Sequence, residues 1–425
     1  MASEKTYIRP FVAILICINT MVGAGLFINP KPLAAISGPI GFLGYLLSAV
    51  LLFPMILSIA ELAKLHPVAG GLYAYSKEYL NPFSGFLSGW CYFVGKTTTV
   101  AILMHKIVQF FQSIIPYISN INTLVLDYTL IFFLVFINVM GVRVGGKIQY
   151  FFTVLKSIPV IFVFIMGACY FSPNSFVLYN EHMCGLVTTI PITVFALLGF
   201  DIICAIGHLI EDSSRNIKKV IITSFVLVTC IAMLFQFLIF GVLGLSLASM
   251  EAPILGFSSV LPISLSILAR FANGVVFAAF IAGGFSILTS NCWNLHTLAN
   301  NNHVPLRSFF TKVTRNNIPW VSLICEGVLG CIILAICYDQ VVMQNMSVFA
   351  QGISFLLSTI AACVAAKKFS EFKLKFWVPV LGVGTCGYIL YLALSKIMTA
   401  GVSFSFLSII IFGICTAIVS KYFNN

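Results

Sequence analysis

The chain has 425 residues, of which 60% are hydrophobic and only 8% are charged. Soluble globular proteins carry about 25% charged residues, so this composition excludes a soluble globular fold. The formal net charge is +11, but the basic residues are scattered and form no basic block, which argues against nucleic-acid binding. A membrane-spanning helix needs about 20 apolar residues, so the chain has room for roughly a dozen spans in one membrane domain. We predict that this single domain covers residues 1–425.

The sequence offers no support for several other protein classes. Its 13 cysteines lie almost entirely within apolar runs, and we interpret them as small core residues. No nucleophile–base pair and no phosphate-binding loop is visible, and no repeated polar positions indicate a channel pore. Lys5 and Arg9 precede the first apolar run, but no small-residue cleavage site follows, so we expect no cleaved signal peptide. We predict a protein that is not an enzyme and needs no cofactor or metal.

Apolar runs separated by charges and turn residues predict twelve transmembrane helices. They cover residues 11–36, 40–63, 82–112, 124–141, 148–171, 185–208, 219–245, 267–298, 319–338, 345–366, 376–395 and 402–420. With both termini in the cytoplasm, the basic residues on the outer side are Lys31, Lys106, Arg270 and Lys396. Every other lysine and arginine except Lys96 and Lys156 falls on the cytoplasmic side. This asymmetry follows the positive-inside rule and predicts an integral protein of the cytoplasmic membrane.

The first predicted span contains a glycine motif within residues 19–29, which read N-T-M-V-G-A-G-L-F-I-N. Gly23 and Gly25 weaken the helix near the middle of the bilayer. A non-helical turn at that depth is tolerated only where it is buried in protein or lines a cavity. Its freed backbone groups then become ligands for small zwitterions, as in the broken helices of transporters. The alternative is that these glycines let a second helix pack closely.

The sixth span has a flaw of the same kind. Residues Phe195–Cys204 read F-A-L-L-G-F-D-I-I-C, with Gly199 and Asp201 in the middle of the run. Two broken helices at corresponding places in two five-helix units are typical of an inverted repeat, with the substrate between the breaks. This coincidence favours a transporter site over simple close packing. The predicted units are a first repeat over 11–171, a second over 185–366 and two additional helices over 376–420.

Charged residues within the predicted spans point to further functional positions. Lys96 and Lys156 lie near the middle of spans three and five, Asp201 and Glu326 lie within spans six and nine, and Glu61 lies at the inner end of span two. A charged side chain at the bilayer centre costs about 2.5–3.5 kcal/mol on insertion scales, so such residues face a cavity or a partner. For Glu61 we consider an inner gate and a loop-fixing role.

The chain resembles a known family in four of its motifs. Residues Glu61–Trp90 carry E-L-A-K-L-H-P-V-A-G-G-L-Y-A-Y and then N-P-F-S-G-F-L-S-G-W, which resembles the signature of the amino acid–polyamine–organocation superfamily of permeases. Residues 23–27 match its G-[SA]-G-[IVL]-F motif, and residues 195–201 match F-x-x-x-G-[FV]-E with aspartate in place of glutamate. Residues 211–219 resemble its acidic N-P-x-R-x-x-P loop, without the prolines. The motifs cover spans one to eight, and spans nine to twelve agree only in hydropathy.

The resemblance implies an all-α polytopic membrane protein with the five-plus-five inverted-repeat fold of the leucine transporter, broken helices one and six, and transport of amino acids by alternating access. The substrate carboxylate would meet backbone N–H groups at Ala24, Gly25 and Leu26, where a half-helix N-terminus is positive. The substrate ammonium would meet carbonyl groups near Met21, Val22, Phe195 and Leu198. Phe195 and Phe285 would form aromatic walls, although either could be an ordinary core or lipid-facing residue.

The resemblance also gives Lys156 a role. In proton-coupled relatives, a lysine at this position in helix five places its ammonium where sodium-dependent relatives bind sodium. A buried lysine gives up its proton readily, so Lys156 could couple transport to protons. The alternative is a permanently charged lysine that braces helices one and five in an exchanger. Thr289 and Ser290 in span eight would supply hydroxyls near Lys156, or would bond their own helix backbone.

Lys96 departs from the family pattern, in which the corresponding position is polar or small. Its ammonium would either approach the substrate side chain, favouring acidic or neutral amino acids over basic ones, or pair with Asp201 as a structural element. The expected partners are a small amino acid, a proton and the lipid bilayer. Symport, exchange and the oligomeric state stay open. A nutrient sensor on the same scaffold is a further alternative, and the short predicted tails disfavour it.

Overall fold

The computed structural model describes residues 7–68, 70–141, 146–177 and 180–423. Regular structure in these residues is helical, apart from an isolated bridge between Ile8 and Ile210. The predicted all-α class is therefore confirmed. The residues 1–6 and 142–145, which contain Lys5 and Arg143, lie outside the described part of the chain.

The first half of the chain contains two very short helices directly after α1. Its helices are α1 (Pro10–Met21), α2 (Ala24–Ile28), α3 (Pro30–Ser37), α4 (Leu43–Leu65), α5 (Gly71–Tyr79), α6 (Pro82–Ile114), α7 (Pro116–Ser119), α8 (Thr123–Val139) and α9 (Gly146–Cys169). The second half shows a similar interruption in its first apolar segment. Its helices are α10 (Asn180–Gly185), α11 (Ile190–Leu197), α12 (Asp201–Ile206), α13 (Ser213–Leu243), α14 (Ile263–Asn300), α15 (Arg307–Phe310), α16 (Trp320–Ile336), α17 (Gln340–Lys368), α18 (Trp377–Thr399) and α19 (Ser403–Phe423).

Seven helical segments of the described chain are long and apolar enough to cross a membrane. They are Leu43–Leu65, Met183–Leu209, Ser213–Ser249, Ile263–Asn300, Gln340–Lys368, Trp377–Thr399 and Ser403–Ser420. Shorter apolar helices cover Pro10–Met21, Thr123–Val139, Val154–Cys169 and Trp320–Ile336. These segments agree with a polytopic membrane protein, while the count of twelve spans and the inverted repeat stay predictions.

The long helix α6 lies at the centre of the packing, where it contacts α14 and α17. Small residues make this possible, as is common between membrane helices. A Cβ atom added to Gly95 of α6 would lie 3.0 Å from the carbonyl oxygen of Ser347 in α17. The Ser347 hydroxyl in turn donates to the Gly95 carbonyl at 2.9 Å. This close approach sets which face of α6 is left for a cavity.

The start of α13 differs from the sequence prediction. Residues 213–218 were predicted as a loop before a span at 219–245, but α13 begins at Ser213. Asp212 precedes it in the left-handed region, with φ 47°. The proline positions of the family loop are occupied by Ser213, the first helical residue, and Lys218 in the second turn, where a proline would interrupt the helix. Lys218 thereby comes to within 2.5 Å of the Glu61 carboxylate.

Candidate functional site

The first apolar segment breaks at the predicted glycines. Helix α1 ends at Met21 and α2 begins at Ala24. Between them Val22 has ψ 77° and Gly23 has φ −119° and ψ −151°, and neither conformation is helical. The N–H groups in the first turn of α2 have no partner within the helix, so they are available as donors.

The second break has the same form. Helix α11 ends at Leu197, and Leu198 is extended, with φ −72° and ψ 155°. Gly199 follows with φ 121°, a backbone conformation that glycine adopts without strain. Helix α12 then begins at Asp201. The chain therefore leaves carbonyl and N–H groups free of helix bonds at this point as well.

The two breaks touch each other. A Cβ atom added to Gly199 would lie 3.2 Å from the Met21 nitrogen, and one added to Gly25 would lie 2.5 Å from the Cα of Ala196. Gly23 thus lies in a break of the helix, while Gly25 provides close packing. The role of the freed backbone groups as ligands stays a prediction. Buried Asn29 strengthens the junction, since its amide donates to the Ile192 carbonyl at 2.8 Å.

A cavity of about 730 Å³ lies beside the two breaks. Of the residues singled out from the sequence, those that line it are Met21, Gly23, Ala24, Gly25, Lys96, Lys156, Phe195, Leu198, Gly199, Phe285 and Thr289. The candidate residues that lie outside its lining within the described chain are Val22, Leu26, Glu61, Asp201, Ser290 and Glu326. The cavity extends as far as Ile318, just before α16.

Lys156 connects α9 to the end of α1. Its ammonium lies 3.2 Å from the side-chain oxygen of Asn19 and 3.4 Å from the Asn19 carbonyl. The hydroxyls expected beside it have other partners in the described chain. Thr289 donates to Asn138 and to the Phe285 carbonyl, and exposed Ser290 donates to the Ile287 carbonyl. Both hydroxyls thus bond a carbonyl of their own helix, which the sequence analysis had named as the alternative.

Lys96 and Asp201 form an ion pair at the cavity wall. The Lys96 Nζ and the Asp201 Oδ2 are 3.9 Å apart, which is too long for a hydrogen bond. The Tyr92 hydroxyl donates to the same carboxylate oxygen, and the Lys96 ammonium lies 5.1 Å from the centre of the Tyr92 ring. Lys96 lines the cavity, whereas Asp201 lies behind it. Tyr92 was not identified from the sequence.

Two further aromatic residues divide the space inside the protein. Phe27 and Phe280 line the main cavity and also a cleft of about 20 Å³. That cleft is bounded on its other side by Lys106 and Glu251. The two phenyl rings are 6.4 Å apart, so they form a partition between the spaces. With 40 phenylalanines in the chain, nothing in the sequence distinguishes Phe280.

A polar wall that the sequence left unassigned lies opposite the breaks. Thr99 of α6 and Gln351 of α17 both line the cavity. The Thr99 hydroxyl lies 3.1 Å from the Ser347 hydroxyl, which also accepts a hydrogen bond from the Gln351 amide at 2.9 Å. Thr99 follows Lys96 by three residues on the same helical face, and that spacing is the available sequence signal.

Two charged clusters lie at the ends of this arrangement. The Glu61 cluster consists of Glu61 with Lys64 at 3.1 Å and Lys218 at 2.5 Å. The Glu251 cluster consists of Glu251 with Lys31, in direct contact, and Lys106 at 3.3 Å. Helix α3, which carries Lys31, leads into the start of α4. Leu43 is the first residue of α4, and Glu61 follows it by 18 residues (61 − 43). At a rise of 1.5 Å per residue, Glu61 lies about 27 Å from Leu43 along the helix axis.

Comparison with known proteins gives matches among permeases and exchangers. The sequence pattern of the family described as "Amino acid permease" matches residues 8–420. The serine/threonine exchanger SteT of Bacillus subtilis is 22% identical over 88% of this chain and 86% of its own length. The gamma-aminobutyric acid permease of the same organism is 26% identical over 72% of this chain and 67% of its own. The lysine-specific permease LysP of Lactococcus lactis is 20% identical over 84% of this chain and 74% of its own. These relatives are transporters and not enzymes.

Proposed function

The chain belongs to the amino acid permease family, and from that premise we propose that it carries amino acids across the cytoplasmic membrane by alternating access. The observation that carries this proposal is the contact between two helix breaks beside one large cavity. Broken helices supply N–H and carbonyl groups that match the two ends of a zwitterion. We assign the carboxylate to the N–H groups of Ala24, Gly25 and Leu26.

The substrate ammonium is assigned to carbonyl groups of both breaks. In the first break these are near Met21 and Val22, and in the second they are near Phe195 and Leu198. Phe195 and Phe285 supply aromatic walls in this proposal, and their place in the cavity lining supports it. The twelve-span inverted-repeat architecture belongs to the same proposal.

We infer that the cavity faces the cytoplasm in this conformation. The Glu61 cluster and Ile318 belong to the segments that the positive-inside rule assigns to the cytoplasm. Phe27 and Phe280 also line the cleft that contains Lys106 and Glu251, and Glu251 is 48% exposed. Alternating access would then require the partition and the Glu251 cluster to open.

Lys156 is proposed as the proton-coupling residue. Its ammonium bonds only the neutral Asn19 among the described residues, so it lacks a carboxylate that would hold it permanently charged. Loss of its proton would weaken the link between α9 and α1, next to the first break. Exchange with Lys156 as a fixed cation is the second candidate, and the similarity to the serine/threonine exchanger SteT favours it.

The proposal is tested by uptake of labelled amino acids into proteoliposomes with an inward proton gradient. We expect uptake by the wild type to follow the gradient and Lys156→Ala to lose that dependence while still binding substrate. Lys396→Ala is the matched control, because Lys396 is an exposed lysine at the end of α18. Gradient-independent uptake that requires amino acid inside the vesicle would establish exchange instead. Absence of transport for a panel of all common amino acids would overturn the assignment.

A further inference from the structure

Lys96 is a cation with free donors at the cavity surface. Its side chain is 18% exposed. Among the described residues its three N–H groups find no hydrogen-bond acceptor, since Asp201 is 3.9 Å away. The Tyr92 hydroxyl is closer to that carboxylate oxygen and donates a hydrogen bond to it. Lys156 differs, because it makes two hydrogen bonds to Asn19. A partly buried ammonium with unfilled donors is suited to receive an acceptor from a ligand.

The charge of the cavity favours the same kind of ligand. The charged residues in its lining are Lys96 and Lys156, and the described part of the lining contains no carboxylate. Asp201, which is not part of the lining, compensates the positive charge of Lys96. One positive charge stays uncompensated among the described residues. A ligand with one net negative charge would neutralise it, whereas a cationic ligand would be repelled.

The position of Lys96 places its ammonium beside the side chain of a substrate held at the breaks. Lys96 pairs with the first residue of α12, which directly follows the second break. Thr99 lies on the same face of α6, and Gln351 contributes an amide from α17. The Gln351 Oε1 has no hydrogen-bond partner among the described residues. The Thr99 hydroxyl donates to the Gly95 carbonyl, and the unpartnered Gln351 oxygen is an acceptor. Among the described residues of the wall, the Lys96 ammonium is therefore the group suited to a carboxylate.

We propose that Lys96 determines substrate specificity, and that the substrate is an amino acid whose side chain ends in a carboxylate. Carboxamide side chains bind less tightly at the same place, because they accept a hydrogen bond without supplying charge. Cationic side chains are rejected. This inference rests on the proposed function, since it assumes that the breaks hold the α-carboxylate and the α-ammonium.

The test measures binding to the purified full-length protein in nanodiscs, with L-glutamate, L-glutamine, L-leucine and L-lysine as competing ligands. In the wild type, glutamate should bind most tightly and lysine least. Lys96→Gln should reduce the preference for glutamate over lysine by about tenfold to a hundredfold, the size of one lost charge-assisted hydrogen bond. Lys396→Gln, the same substitution at an exposed position, should leave that preference unchanged.

A second variant distinguishes a role of Lys96 in substrate selection from a purely structural ion pair between Lys96 and Asp201. Asp201→Asn removes the countercharge, so it should raise the preference for glutamate, whereas a structural pair would make Lys96→Gln and Asp201→Asn behave alike. If Lys96→Gln alone fails to fold, the double variant Lys96→Gln/Asp201→Asn removes both charges and should still lose the preference.

An unchanged preference in a folded Lys96 variant overturns this inference while amino acid binding stands. Failure of all four ligands to bind the wild type, although a common amino acid without a carboxylate side chain is transported, also overturns it. Absence of any amino acid binding or transport overturns the proposed function as well.

Discussion

The Glu61 and Glu251 clusters have the same composition, one carboxylate held by two lysines, but they differ in exposure. The side chain of Glu61 is 1% exposed, whereas that of Glu251 is 48% exposed. Glu61 joins α4 to α13 and also accepts a hydrogen bond from the backbone of Lys373 at 3.4 Å. A buried charge cannot lose its partner without a large cost, while an exposed one exchanges its partner for water. We infer that the Glu61 cluster is a permanent brace and that the Glu251 cluster can open.

The largest expected effect comes from breaking the buried cluster. Lys218→Met leaves the buried Glu61 carboxylate with Lys64 as its remaining cation. We expect a loss of about 3 kcal/mol in the free energy of unfolding, as for a broken buried pair. Thermal unfolding of the purified protein measures it. Lys219→Met, at the exposed neighbouring position, is the control and should change the free energy by less than about 0.5 kcal/mol. Equal effects of the two substitutions would contradict the role of the Glu61 cluster as a brace.

The exposed cluster should respond through conformation more than through stability. Glu251→Gln weakens its contacts with Lys31 and Lys106, so we expect a stability change of no more than about 1 kcal/mol. The same free energy corresponds to a shift of up to about fivefold in the ratio of the outward-open to the inward-open conformation. Initial uptake rates and thermal unfolding of the same preparation measure both quantities. A destabilisation as large as that of Lys218→Met would contradict the distinction between the clusters.

The smallest expected effect is on pH dependence. Partial burial would raise the pKa of Glu251, but the hydrogen bond from Lys31 and the charge of Lys106 outweigh it and hold the pKa below its ordinary value of 4.5. A carboxylate with a lowered pKa contributes stability above about pH 4.5, and that contribution disappears as the pH falls through the lowered value. The difference in melting temperature between the wild type and Glu251→Gln should therefore be constant at neutral pH and vanish in acid. A difference in melting temperature that grows as the pH falls would contradict the lowered pKa of Glu251.

The sequence predicted the positions of the two helix breaks better than the residues that line the cavity beside them. Gly23, Gly25 and Gly199 interrupt apolar runs, so their effect on a helix is local and visible without a fold. The pairing of Lys96 with Asp201 was one of two alternatives, because charges in a membrane need partners. Thr99 and Gln351 could not be placed, since hydroxyl and amide residues within spans also bond their own helix. Which of them face the cavity depends on how α6 packs against α17.

A buried pair between α6 and α8 shows the same limit. His105 Nδ1 and Asp127 Oδ2 lie 2.7 Å apart, and both side chains are buried. The two residues belong to predicted spans three and four, but only the relative rotation of the helices brings them together. Nothing in the sequence distinguishes either residue. Contacts of this kind require the tertiary arrangement, whereas glycine breaks do not.

The contact between Gly25 and Ala196 limits where substitutions can change the substrate specificity of this protein. No side chain fits at Gly25 without separating the two breaks, and a Cβ atom at Gly199 would lie 3.2 Å from the Met21 nitrogen, on a backbone with φ 121° that side chains rarely adopt. If the breaks hold the common groups of an amino acid, as proposed, the part of the pocket that binds them is thus fixed in shape. A smaller or larger substrate would then be accommodated by residues of α6, α14 and α17 that line the cavity. Substitutions on that side would change the substrate specificity and leave the contacts with the backbone atoms of the substrate unchanged.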